Sequence, residues 1–145
     1  MRLRILALLL LLAPAALAAQ SDSSAPVLPP AAVLPERLAA GAFSASQVAM
    51  GEDVFMAYCV SCHEPSFHTG EQFRFSWLGR TVLDYFKQLK RTMPEDNPGG
   101  LSDDDYTRVI AYILKLNGFA PGTDSLKSDT LELKRVRISE PSGSP

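Results

Sequence analysis

Cys59-Val60-Ser61-Cys62-His63 is the stretch where reactive side chains stand at a spacing that dictates chemistry. Two thiols separated by two residues and followed at once by an imidazole form the pattern of c-type haem attachment. Each thiol can add to one vinyl group of a single haem, which ties one edge of the macrocycle to the chain. His63 then stands beside the ring, where an imidazole nitrogen reaches iron. Its second nitrogen needs a hydrogen-bond partner to fix the tautomer. A thioredoxin-like redox pair uses the same two thiols, but it expects a strand leading in and a βαβ unit; here a helical segment leads in. A disulfide has no use for His63, and a zinc site needs two further ligands where only His68 remains among Cys and His.

An electron carrier holds its iron from both faces, so a second axial ligand is expected, and elimination points to Met93. Met1 belongs to the leader described below, and Met50 and Met56 lie in the helix that runs directly into the attachment site. Met93 stands thirty residues beyond His63 in a loop, and Pro94 behind it pushes it out of helical conformation and stiffens the segment. His68, five residues past His63, would have to circle the ring within that span and reads as an ordinary loop histidine. With both faces taken there is no open position for a substrate. The expectation is therefore a single-electron carrier, not an enzyme. A peroxidase-like haem enzyme, which needs a displaceable sixth ligand, is the alternative class.

Three helices must position these groups. Ser44-Ala45-Ser46-Gln47 has the form of a capping box, and Val48, Gly51, Phe55 and Tyr58 follow at helical spacing, which predicts a helix from about Ala45 to Tyr58. A second is expected from Thr81 to Leu89, with Thr81 and Asp84 as its cap pair and Val82, Leu83, Phe86 and Leu89 as its apolar face. The third is the clearest. Ser102 caps it, Asp103, Asp104 and Asp105 put negative charge at the positive end of its dipole, and Gly118 stops it. Tyr106, Val109, Ile110, Ile113 and Leu114 form its buried stripe. Leu131-Glu132-Leu133 alternates briefly and is expected to pack as an extended tail. Phe67, Phe73, Phe75 and Trp77 are expected to wall the haem pocket, with Trp77 or Arg80 as candidate donors to a haem propionate. Long loops in so small an all-α domain need something to wrap around, and haem supplies it.

Outside that domain the chain reads differently. Arg2 and Arg4, the apolar run from Ile5 to Leu12, Pro14 and the small-residue site Ala16-Leu17-Ala18 are laid out as a secretory signal peptide over residues 1–18. The fifteen residues from Ile5 to Ala19 fall short of the roughly 20 that span a bilayer, so no integral membrane segment is expected in the mature chain. Residues 19–42, with Pro26, Pro29, Pro30 and Pro35, read as a Pro/Ala-rich linker, and 43–145 as the domain with its tail. The full chain has 14 Lys+Arg against 16 Asp+Glu, and without Arg2 and Arg4 the mature chain is near −4. That balance argues against nucleic acid, whose binders carry a clustered basic surplus. An exported, oxidising compartment such as a bacterial periplasm is the expected location.

Gly51-x-x-x-Phe55, C-x-x-C-H, Met93-Pro94, Leu101-Ser102-Asp103 and Val109-Ile110-Ala111-Tyr112-Ile113-Leu114 together resemble a class I monohaem cytochrome c, over about Phe43 to Phe119. The resemblance implies an all-α cytochrome c fold around one covalent haem c. Cys59 and Cys62 would be its attachment points, and His63 and Met93 its axial ligands. It also implies that the first and last helices cross with Gly51 at the contact and Phe55 and Tyr112 alongside. Arg91 to Leu101 and the ending Asn117-Gly118-Phe119 look like cytochromes that accompany pyrroloquinoline quinone dehydrogenases. The implied partners are a quinoprotein dehydrogenase as donor and a terminal oxidase as acceptor. The rival is a general carrier between the cytochrome bc1 complex and an oxidase or peroxidase. Glu64-Pro65 departs from the small residue common after the ligand.

Overall fold

The computed structural model describes residues 37–140; the expected signal peptide, the expected linker up to residue 36 and the last five residues lie outside the described part. In chain order the elements are β1 (Arg37–Leu38), α1 (Ala45–Tyr58), a 3₁₀ turn (Pro65–His68), α2 (Gly70–Trp77), α3 (Val82–Thr92), α4 (Asp103–Leu116), α5 (Thr130–Arg135) and β2 (Val136–Arg137). The fold is all-α, and its two short strands form one parallel pair, Arg37 opposite Val136 and Leu38 opposite Arg137.

The three expected helices are α1, α3 and α4, and side-chain chemistry accounts for their ends. Ser44 Oγ accepts from the Gln47 amide at 3.2 Å, which is half of the expected capping box. The other half does not form. The Gln47 side chain is buried and instead binds the Leu126 backbone in both directions, at 2.9 and 2.7 Å, tying α1 to the chain after α4. The box at α3 is complete: Thr81 Oγ1 accepts from the Asp84 amide and the Asp84 carboxylate accepts from the Thr81 amide. At α4, Ser102 Oγ accepts from the Asp105 amide at 3.1 Å, and Asn117 and a left-handed Gly118 end the helix.

Among the described elements the contact between α1 and α4 is the most extensive. At its centre a Cβ on Gly51 would overlap the carbonyl of Arg108, so only hydrogen fits between the two backbones. Phe55 and Tyr112 meet beside it at 5.5 Å between ring centroids. We expect Gly51→Ala to cost about 3 kcal/mol, because two rigid helices must separate to admit one methyl. Chemical denaturation of the haem-loaded protein measures it, and a cost within experimental error of zero would contradict the crossing.

Two segments depart from expectation. Leu131 to Leu133 is helical: Asp129 caps α5, its carboxylate accepting from the amides of Leu131 and Glu132 at 2.9 and 3.0 Å. The alternation that suggested an extended tail reflects one buried leucine, Leu133, and one exposed, Leu131. The end of the expected linker is likewise packed. Ala39 and Ala42 are buried, Ala39 donates to the Arg137 carbonyl and Gly41 to that of Ala120, each at 2.8 Å. Beyond β2 the chain reaches Gly79–Thr81: the Gly79 amide donates to the Ile138 carbonyl and the Ile138 amide to that of Arg80, at 2.8 and 2.9 Å. The C-terminal end of the described chain, paired with β1, thus braces the turn that leads into α3.

Candidate functional site

A cavity of about 840 Å³ opens between the C-terminal end of α1, the second half of α3, the loop after it and one face of α4. Cys59, Cys62, His63 and Met93 all line it. Three of them come from one turn. As α1 ends, the Cys59 amide donates to Phe55 at 2.8 Å, and the Cys59 carbonyl then accepts from both Cys62 and His63, at 3.1 and 2.9 Å. That coiling gathers both thiols and the imidazole at one end of the cavity. No disulfide joins the two cysteines, Cys59 half-buried and Cys62 exposed, and burial pushes the Cys59 thiol up from its usual range.

Met93 arrives from a different element. It caps the C-terminus of α3 in extended conformation (φ −130°, ψ 151°), as a residue before proline should. Its amide donates to the Leu89 carbonyl at 2.8 Å, and its own carbonyl accepts from the buried Tyr106 hydroxyl at 2.7 Å. Main-chain bonds therefore hold the loop and leave the thioether free to act in the cavity. Leu89, Val109 and Ile113 supply apolar wall.

Four residues differ from their expected roles. His68 is no ordinary loop histidine. The 3₁₀ turn opened by Pro65 folds the chain back, and His68 lines the cavity with its ring 5.3 Å from His63 and 5.6 Å from Phe55, inclined to them at 66° and 85°. Burial, and then the neighbouring His63, push its pKa below the usual histidine value. Phe67 and Phe75 are 65% and 92% exposed, so neither walls the pocket. Phe73 is buried away from the cavity lining, between Tyr85 and Phe119.

Trp77 does line the cavity, stacked on Tyr85 at 4.2 Å between centroids, with the Arg80 guanidinium carbon 5.7 Å from its ring centroid. Arg80 itself is not part of the wall. Tyr85 is the residue that sequence reasoning missed. It lies on the buried side of α3, one position from Phe86, and lines the cavity at 4% exposure. Burial, then Cys59, raise its pKa far enough to keep the hydroxyl protonated. Its place at position i+3 from Val82 and i−4 from Leu89 was the available signal.

This donor set suits haem. Paired thiols stand beside an imidazole, a thioether enters from a second element, and the walls are apolar and aromatic. The volume is that of a site for a molecule of this size. Among the described residues no group of three or more His, Cys, Asp or Glu side chains is placed to hold a metal ion. Residues 46–113, just under half of the chain, match the family model described as cytochrome C oxidase, cbb3-type, subunit III. The matched span contains Cys59, Cys62, His63 and Met93. No curated protein and no solved structure matches the chain.

Proposed function

We propose that this chain, a cytochrome c domain with one covalently bound haem c, is a periplasmic carrier that takes single electrons from a quinoprotein dehydrogenase and passes them to a terminal oxidase. The observation that carries the reading is the convergence of Cys59, Cys62, His63 and Met93 on one cavity. When bound, the haem supplies a one-electron ferric/ferrous couple. The chain's residues do the rest. Cys59 and Cys62 would hold the cofactor by thioether bonds, and His63 and Met93 would bind its iron, a pair that favours a high potential. Leu89, Val109, Ile113 and Phe55 exclude water, which penalises the extra charge of the ferric state.

Electron delivery needs the cofactor's edge near the surface, and Cys62 is exposed where Cys59 is half-buried. The partner is expected to dock over that end, in a contact below about 1,200 Å² as is usual for transient redox encounters. Tyr58 and Val60 are exposed beside it and offer apolar contact. Among the described residues no helix is long and apolar enough to cross a membrane.

The quinoprotein reading rests on the resemblance of Arg91 to Leu101 and Asn117 to Phe119 to cytochromes that accompany such dehydrogenases. The matched family, described as an oxidase subunit, favours the second reading, in which the carrier serves an oxidase with electrons from the bc1 complex. Stopped-flow mixing of the oxidised protein with a substrate-reduced quinoprotein dehydrogenase from the same cell decides between them. Fast reduction, with slow reduction by an unrelated dehydrogenase, is the expected result. Equal rates from both dehydrogenases, with ready reduction by the bc1 complex, would overturn it.

A further inference from the structure

His63 and His68 are the only two histidines of the chain, and the fold brings both to one cavity. In the reading above, one ring nitrogen of His63 faces iron. The other is then an N–H donor in a half-buried place, and such a donor needs an acceptor, because an iron-ligating imidazole is oriented and made more basic by the bond its second nitrogen makes. No hydrogen bond from the His63 ring to a carbonyl, carboxylate or hydroxyl exists among the described residues, and His68 is the polar ring packed against it.

The two rings are close enough for such a bond. An N–H···N contact of about 2.9 Å between imidazoles places their centroids roughly 5 Å apart. The observed separation is 5.3 Å, with the rings inclined at 66° in an edge arrangement. Inclination about the N···N axis costs little, because each nitrogen's N–H or lone pair lies in its own ring plane.

The chain also holds His68 in place more firmly than a loop residue requires. The Asn117 side chain donates to the His68 carbonyl at 2.8 Å and to the Ile113 carbonyl at 2.8 Å, and accepts from the Gly70 amide at 3.2 Å. The turn carrying His68 is thereby pinned to the C-terminus of α4. On the other side the ring packs edge-on against the buried Phe55.

We propose that His68 is a positioning residue: its neutral imidazole accepts a hydrogen bond from the ring nitrogen of His63 that does not face iron, fixing the tautomer and orientation of the proximal ligand. This rests on the reading of His63 as an axial ligand. The acceptor makes His63 a stronger donor to iron and so stabilises the ferric state.

With two histidines only, ¹⁵N-histidine labelling of the haem-loaded protein gives two rings to assign. In the diamagnetic ferrous state, a scalar coupling between a nitrogen of His63 and a nitrogen of His68 is expected. If His63 carries an iron-bound nitrogen and no coupling to His68 is seen, the inference is overturned while the ligation reading stands. If neither ring carries an iron-bound nitrogen, the ligation reading fails and takes the inference with it. The variants give an independent readout. His68→Phe removes the acceptor and should raise the midpoint potential by roughly 59 mV, the equivalent of a tenfold change in a one-electron equilibrium. His68→Gln restores an acceptor and should return the potential most of the way to wild type. Equal potentials in His68→Phe and wild type, with the haem spectrum intact, would overturn the proposal.

Discussion

Replacing both Cys59 and Cys62 with Ala leaves no haem on the polypeptide after denaturation, where the native chain keeps one haem through the same treatment. Each single variant keeps at most one thioether bond. The reason lies in the turn after α1: the two thiols are held at one end of a cavity by three backbone hydrogen bonds that neither substitution touches. The variant therefore loses attachment without losing the local fold. Its stability falls nonetheless. A cavity of about 840 Å³ lies against α1, α3 and α4, and a side chain facing an unfilled space forfeits its packing on that side. With the haem gone, the thermal midpoint should drop by about 15 °C or more, equivalent to roughly 3 kcal/mol in a domain of this size. Haem staining of a denaturing gel and a melting curve measure the two effects. A double variant that keeps its haem after denaturation would contradict covalent attachment through these residues.

Met93→Ala is expected to open the sixth position. The loop should survive, because what anchors Met93 is main chain: its amide on Leu89 and its carbonyl under the Tyr106 hydroxyl. Only the thioether is lost. The midpoint potential should fall by roughly 100 mV or more, close to a fiftyfold loss of ferrous over ferric preference at 59 mV per tenfold. Carbon monoxide on the ferrous protein and cyanide on the ferric protein should bind rapidly where the native protein binds slowly or weakly. Met93→His should also lower the potential, since imidazole stabilises ferric iron better than thioether does, but should stay closed to both ligands. A Met93→Ala protein that keeps its sulfur-to-iron absorption band would exclude Met93 as the ligand.

Local chemistry is what the chain's order of residues states directly. Cys59, Cys62 and His63 are adjacent, so their joint use needs no knowledge of the fold. The bounds of α1 and the caps of α3 and α4 are equally local: a Ser or Thr side chain meets an amide three residues on, as Ser44, Thr81 and Ser102 all do. Gly51 was legible through the resemblance to class I cytochromes c, and the Arg108 carbonyl packed against it bears that out.

Tertiary structure decided what depends on distant partners. Gln47 matched a capping box by spacing, but the Leu126 backbone, remote in sequence, offered two hydrogen bonds in a buried place and won the side chain. The aromatics at 67, 73, 75 and 77 looked alike as a run; winding them onto the 3₁₀ turn and α2 sent Phe73 inward, Trp77 to the cavity and Phe67 and Phe75 to solvent. Sequence distance made His68 look too near His63 to share its site, and the turn at Pro65, pinned by Asn117 from the far end of α4, brought it back. Tyr85 was hidden in an apolar stripe until α3 packed against a cavity instead of a filled core. Residue type and spacing determine which bonds a side chain can make within a turn or two; which of them it makes is settled by what the rest of the chain has already buried beside it.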